Sequence, residues 1–481
     1  MLKKLLITLA TSSVLAGAVA AAPAHASRNQ ESVFEDDTAL LFSGDAKRQQ
    51  SLDEIKSLGG TTIRTLVQWS RIAPDTNSSK KPAGFDATDP NAYPPGAFEP
   101  WDSLVQEAQA RGMQVIMSPV LAPHWADTCR GNAHHCSPRP RDFGQFVTAL
   151  AKRYPTVHRW SIWNEPNQSN WLYPQQKRRH GHNIPYAAMV YRNLFRAATS
   201  ALKANGHARD QFLLGETAPL GRTTGSLGKR FLSPTAFFQG VFCLNSHGRK
   251  LRGRIAKDEG CRRYKKLDAT GIAHHPYNRG GSQPPLRKPK GSGEITIANL
   301  SQLSRVINQG SHNRRIRGGL RFFFTEFGFQ SNPPDRTFGV SLSRQARYIN
   351  QSDYIAYHNR RVSSVAQYEL FDDLDPDSFN TGLRRTNGKA KPALKAYRLP
   401  IWVTRSGSKI KVWGQARPGG SGQTVQIQNG NKKFRTVKTV RTGRKGYFEV
   451  RIGRKAGKKW KLLWKDPSGK TFASRIAGIN S

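Results

Sequence analysis

Two runs in this sequence place a glutamate directly after a stretch of apolar and aromatic residues. One is RWSIWNEPN, which carries Asn164, Glu165, Pro166 and Asn167; the other is LRFFFTEFGFQ, which presents Glu326. A pair of carboxyls is what hydrolysis of a glycosidic bond requires. One protonates the leaving oxygen, and the other stabilises or attacks the anomeric carbon. The two must differ in proton affinity, because the acid keeps its proton at working pH while its partner is ionised. An ionised partner itself raises the pKa of its neighbour. Arg64 is placed to sit beneath Glu326 and keep it charged, and His275 and Tyr277 to reach it from the side, Tyr277 as the direct donor. Asn164 is placed to bond the sugar hydroxyl next to the reacting carbon. Trp69, Trp125 and Trp171 are candidates to stack on sugar faces.

Such carboxyls meet only if their strands share one sheet that curves back on itself. Residues 39–380 alternate between short β-rich runs and segments of 3.6-residue periodicity. The runs are Ala39–Phe42, Thr61–Trp69, Gln114–Val120, Arg159–Asn164, Phe212–Glu216, Ala269–His275, Leu320–Glu326 and Val362–Leu370. Eight such strand–helix units predict a (β/α)8 TIM barrel, with a doubly wound open sheet as the alternative. In a barrel, strand-end residues and the loops after them build the site, and several of those loops are long here. From about Leu399 the pattern turns to strict alternation, as in Ile410 and Val412 or Trp460, Leu462 and Trp464, with Asn429-Gly430 as a hairpin-turn signal. The expected organisation is a leader over 1–26, a catalytic barrel over 27–398 and a small all-β, sandwich-like module over 399–481.

Taken in order, WNEPN after strand four and TEFG after strand seven resemble clan A of the glycoside hydrolases, the retaining (β/α)8 glycosidases, and most closely families 5 and 39. The resemblance covers about residues 39–400 and implies that Glu165 is the acid/base and Glu326 the nucleophile. The clan's strand-two Arg matches Arg64, and its strand-six His-x-Tyr matches His275-Pro276-Tyr277. The chain departs from the clan after strand eight, where AQYELFDD lacks the Trp that often lies under the sugar. Tyr368 or Phe371 is left to take that place.

Composition narrows the class. The chain is 37% hydrophobic with 10 Trp and 23 Phe, too apolar for a disordered chain and too polar for a multi-span membrane protein. Lys3 and Lys4, an apolar stretch from Leu5 to Ala22, and Ala24-His25-Ala26 form a signal-peptide pattern, which predicts a secreted, extracellular or wall-associated protein. In that setting Cys129 with Cys136 and Cys243 with Cys261 read as two local disulfides. A zinc site near His124, His134 and His135 is the rival for the first pair, but its spacing matches no common zinc pattern. Asp372, Asp373 and Asp375 read as a solvated loop rather than a calcium site. No metal or cofactor is assigned.

The formal net charge is +44, and residues 401–481 hold 20 Lys or Arg against Glu449 and Asp466 alone. An excess of that size attracts polyanions, and an anionic cell-wall polymer is the partner expected for the module beside a carbohydrate substrate for the barrel. No nucleic-acid-binding signature and no membrane span is evident. The competing reading is a non-catalytic carbohydrate- or wall-binding protein built on a glycosidase scaffold.

Overall fold

The computed structural model describes residues 27–128, 133–222, 231–279, 283–290, 293–455 and 457–480. The predicted leader, 1–26, and Cys129 of the first predicted disulfide lie outside the described residues.

Eight parallel strands close into a barrel, and each neighbours the next in sequence. They are β1 (Glu31–Glu35), β2 (Thr62–Gln68), β3 (Gln114–Val120), β4 (Arg159–Ser161), β5 (Gln211–Thr217), β6 (Gly271–His274), β7 (Arg321–Phe324) and β8 (Val362–Tyr368). β8 returns to pair with β1 along the full length of that strand, from Glu31–Ser364 to Glu35–Tyr368. Strands buried on both faces read as continuous apolar runs rather than alternating ones, and the three Phe of β7 are all buried. Val33, Ile116, Leu213, Ala273, Phe323 and Ala366 form a compact apolar cluster of their own, drawn from six of the eight strands. The larger core lies between barrel and helices and includes Leu104 of helix Glu99–Ala110 and Phe146 of helix Pro140–Arg153. Among the described residues no helix is long and apolar enough to cross a membrane.

The first strand is not where the sequence places it. Ala39–Phe42 is not a strand: Asp37–Leu41 is a helix, capped by Asp36, whose carboxylate accepts from the Ala39 N–H at 3.0 Å. The same Asp36 accepts from the backbone N–H groups of Leu370 and Phe371, which ties the first and last strand ends together. The apolar triplet Ala39-Leu40-Leu41 serves one buried helix turn as well as it would a strand, and three residues carry no period.

Beyond the barrel, β9 (Ile401–Ser406), β10 (Lys409–Gln415), β11 (Thr424–Gly430), β12 (Phe434–Arg441), β13 (Tyr447–Gly453), β14 (Lys459–Lys465) and β15 (Thr471–Ala473) form two antiparallel sheets. Their orders are β9-β10-β13 and β12-β11-β14-β15. A separate core lies between them, with Val403, Val412 and Phe448 from the first sheet meeting Val425, Ile427, Trp460 and Trp464 from the second. Asn429-Gly430 is not the turn. Both residues pair within β11, and the Asn429 side chain bonds the Gly457 and Lys459 carbonyls.

The other face of the three-stranded sheet packs on the barrel. Trp402, Trp413 and Tyr447 cluster with Tyr357, and Arg417 reaches Asp353 at 3.2 Å, both side chains about 6% exposed. The Cys243–Cys261 disulfide forms, as its spacing predicts, and closes a loop beside Arg192. Removing one partner of a buried ion pair strands the other charge, at a cost of about 3–5 kcal/mol. Asp353→Ala is therefore expected to lower the stability of the full chain by an amount of that order, measured as a fall in the denaturant midpoint.

Candidate active site

Four carboxyls and two cations meet at the C-terminal mouth of the barrel. Arg64 rises from β2 with its guanidinium fully buried. Its Nη1 donates to Glu326 Oε1 at 2.8 Å and also bonds Glu35, the last residue of β1. Its Nη2 donates to Asn164 Oδ1 at 2.7 Å and lies 3.1 Å from Glu216 Oε2. His275, just past β6, places Nε2 at 2.6 Å from Glu216, and its Nδ1 at 3.0 Å from Glu165 and 3.4 Å from Glu326. Tyr277 donates its hydroxyl to Glu326 Oε2 at 3.3 Å. Glu165, His275 and Glu326 each offer an atom within 4.8 Å of the others.

The backbone is bent to achieve this. Trp163 and Glu165 adopt φ of 69° and 34°, and Glu216 adopts 45°. Side chains rarely occupy this left-handed region, and such strain clusters where a site over-determines the conformation. Gly215 makes the Glu216 bend possible: its φ is 126°, and a Cβ there would lie 2.5 Å from the Ala273 carbonyl. The β5–β6 register shifts between Leu214 and Thr217 at the same point, and such an irregularity re-aims a side chain.

Burial and charge set the proton affinities. Burial is the largest influence on Glu165 and raises its carboxyl above the ordinary range; His275 opposes this, and the Glu326 charge adds to it. Burial likewise drives Glu35 well above its usual value against the pull of Arg64. Glu216 goes the other way. Burial alone would raise it, but Arg64, His275 and the Ser161 hydroxyl together bring it to about 2. Thr325 donates to the same carboxylate at 2.7 Å. For His275, burial disfavours the charged ring, yet Glu326, Glu165 and Glu216 outweigh it and raise the group to about 10. His274 points the other way, between Thr217 and the Ile295 carbonyl, and burial holds it neutral at about 3.

A cavity of about 320 Å³ opens above this network. Glu165, Glu326, Asn164, Tyr277 and Trp171 line it, so the barrel brings these sequence-predicted residues together. Arg64 and His275 lie beneath, wholly buried. Trp69 and Trp125 do not reach it. Trp69 stacks on Phe146 with centroids 5.1 Å apart, and Trp125 meets Trp69 edge-on at 5.4 Å; both are inside the core. Tyr368 lines the cavity, whereas Phe371 lies under the Lys47 ammonium and does not. Phe379 adds a further ring, 5.0 Å from Tyr277 and 6.0 Å from Tyr368.

Sequence reasoning overlooked Glu35 and Glu216. Glu216 carries the same sign as the other two, a glutamate after the apolar run Phe212-Leu213-Leu214. Glu35 ends Val33-Phe34, but was hidden by the misplacement of the first strand. Asp372 is a buried partner of Lys391 at 2.5 Å rather than part of a solvated loop.

In each of the two candidate metal clusters among the described residues, one histidine already has both ring nitrogens engaged. In the site, both nitrogens of His275 face carboxylates. In the second group, His158, His207 and Asp210, both nitrogens of His207 are taken, by Asp210 and by the Ala151 carbonyl.

The family model for cellulase, glycosyl hydrolase family 5, matches residues 26–218. The chain resembles the clan A glycoside hydrolases. Among solved structures, a family 39 glycoside hydrolase from Bacteroides cellulosilyticus WH2 is similar with a TM-score of 0.51 and 14% identity, over 89% of this chain and 82% of that one. A GH30 endoxylanase from Clostridium papyrosolvens C71 is similar at a TM-score of 0.46 and 11% identity, over 89% and 94%. No curated protein sequence matches. The family match includes Glu165 and Glu216 but stops short of Glu326, whose position comes from the barrel alone.

His275 links this network to stability. A group held at about 10 in the fold against 6.5 when free stabilises fully below pH 6.5, and that contribution is lost as pH rises through about 10. The melting temperature is expected to decline across that window, and to decline less in His275→Gln, in a thermal-melt series from pH 6 to 10.5.

Proposed function

We propose that this chain is a secreted O-glycosyl hydrolase that works by double displacement with retention of configuration. The observation that carries the reading is the approach of Glu165 and Glu326, whose nearest oxygens lie within 4.8 Å over an open cavity. Retaining glycosidases hold their two carboxyls about 5–5.5 Å apart, whereas inverting ones leave about 6.5–9.5 Å for a water. The predicted leader and the Cys243–Cys261 disulfide support an extracellular setting.

The residues divide the work. Glu326 receives hydrogen bonds from Arg64 and Tyr277, which hold one oxygen toward the cavity and stabilise negative charge. Its carboxylate attacks the anomeric carbon while Glu165, whose proton affinity burial raises, gives its proton to the departing oxygen. The C–O bond to the leaving group breaks as the ester to Glu326 forms. Glu165, now ionised, takes a proton from water, which attacks the same carbon and releases Glu326. Charge moves from Glu326 to Glu165 and back, and His275 contacts both throughout. Asn164 has its Oδ1 held by Arg64, which leaves its N–H groups for a sugar hydroxyl. Trp171, Tyr368 and Phe379 supply rings against which pyranose C–H faces can pack.

Replacing either carboxyl separates this reading from a non-catalytic binder. Glu326→Gln is expected to remove all but about 10⁻³ to 10⁻⁴ of the turnover of aryl glycosides, and Glu165→Gln to cost about 10²–10⁴-fold, least for good leaving groups. In the native enzyme kcat/KM falls as pH rises through the raised Glu165 pKa; that limb disappears in Glu165→Gln. Equal, near-zero rates for native and Glu326→Gln protein across a broad glycoside panel would leave only the binding reading.

Glu35 gives a second test. One of its oxygens is bound by Arg64, and the residue faces the cavity beside Glu326. Burial raises the proton affinity of this carboxyl, so a neutral isostere is the milder replacement. Glu35→Gln is therefore expected to keep kcat/KM within about threefold, and Glu35→Ala to lower it by about tenfold or ~1.4 kcal/mol.

A further inference from the structure

We propose that the outward face of the four-stranded sheet β12-β11-β14-β15 is a docking site for an extended acidic polysaccharide, separate from the cavity in the barrel. The face is free because of how the module is built. Its three-stranded sheet is committed to the barrel through Trp402, Trp413 and Tyr447, and its core consumes the inner faces of both sheets. Among the described residues, no other element packs on the four-stranded sheet's outer face.

The register shows what that face presents. On β14, Trp460, Leu462 and Trp464 point into the core, so Lys459, Lys461, Leu463 and Lys465 point out. Across from them on β11 stand Gly430, Gln428 and Gln426, and beyond those on β12 stand Phe434, Thr436 and Thr439. Thr424 and Arg441 complete the end nearest Lys465. The three lysines of β14 span six residue steps, about 20 Å at the usual strand rise, and lie along one face of the strand.

No acid interrupts it. The module has only Glu449 and Asp466. Glu449 lies on the other sheet, bonded to His358 at 2.9 Å. Asp466 lies in the turn after β14 and accepts from the Ser468 hydroxyl and the Lys470 N–H. Between the cations the surface offers amides and hydroxyls, which suit the hydroxyls of a sugar chain while the lysines take its carboxylates or phosphates. Among the described residues the face carries one aromatic ring, Phe434, which has the Lys461 ammonium above it at 4.7 Å. A single covered ring is not the stacking platform that single-stranded nucleic acid uses, which favours a polysaccharide partner.

The test uses the full mature chain and a polyuronate immobilised as a gel, with neutral dextran and duplex DNA as comparison ligands. The native protein should bind polyuronate at low salt, be released as salt rises, and ignore dextran. Changing Lys459, Lys461, Lys465 and Arg441 together to Gln should weaken polyuronate binding at least tenfold, with aryl glycosidase turnover unchanged. A control that removes four charges from the barrel surface, Lys250, Lys257, Lys265 and Lys266 to Gln, should weaken it less than threefold. Equal losses in the two variants would mean that net charge alone attracts the polymer, and would overturn the proposal. Tighter binding to DNA than to polyuronate, lost in the sheet variant, would overturn it in favour of a nucleic-acid surface. Because turnover is read separately, an inactive native protein would count against the hydrolase reading and not against this one.

Discussion

A buried guanidinium needs acceptors, and Arg64 finds them on residues from four other strand ends. Glu35, Asn164, Glu216 and Glu326 converge on it from β1, the loop after β4, β5 and the end of β7. Breaking up this arrangement would leave a buried charge unpaired, which is among the costliest changes a fold can suffer. The positions of Glu35 and Glu326, which both face the cavity, therefore follow from a charge placed below them. His275 repeats the arrangement one layer to the side and binds Glu216, Glu165 and Glu326.

The four carboxyls share one fold but not one environment. Glu216 has both cations and two hydroxyls, and is held at about 2. At Glu165 burial outweighs the pull of His275 and the more distant Arg64, and the group is raised. The strained backbone at Trp163, Glu165 and Glu216 belongs to the same account: the ion network holds the left-handed conformations in place.

The C-terminal module is joined to the barrel rather than tethered. Aromatic packing at Tyr357 and the Arg417–Asp353 pair fix it at one face, so its basic sheet is held in a constant relation to the rest of the molecule. A ligand held on that sheet would stay at a fixed distance from the cavity in the barrel.

Hydrophobic pattern alone located seven of the barrel strands, the change to alternation near Leu399, and the glutamates at 165 and 326, because burial on both faces and alternation each leave a direct mark in sequence. Motif order supplied Arg64, His275 and Tyr277. Other features left no such mark. Ala39–Leu41 is too short to show a period, so β1 and Glu35 were misplaced together. Trp69 and Trp125 are as suited to a core as to a sugar face, and only packing against Phe146 decides. The choice of Tyr368 over Phe371 rests on which side of the strand end faces the cavity. The chain by itself determined which residue types were present to do the chemistry and roughly where strands would run. Only the closed barrel decided which charges became neighbours, because Arg64 and its partner Glu326 are 262 positions apart and electrostatic pairing depends on distance through space rather than along the chain.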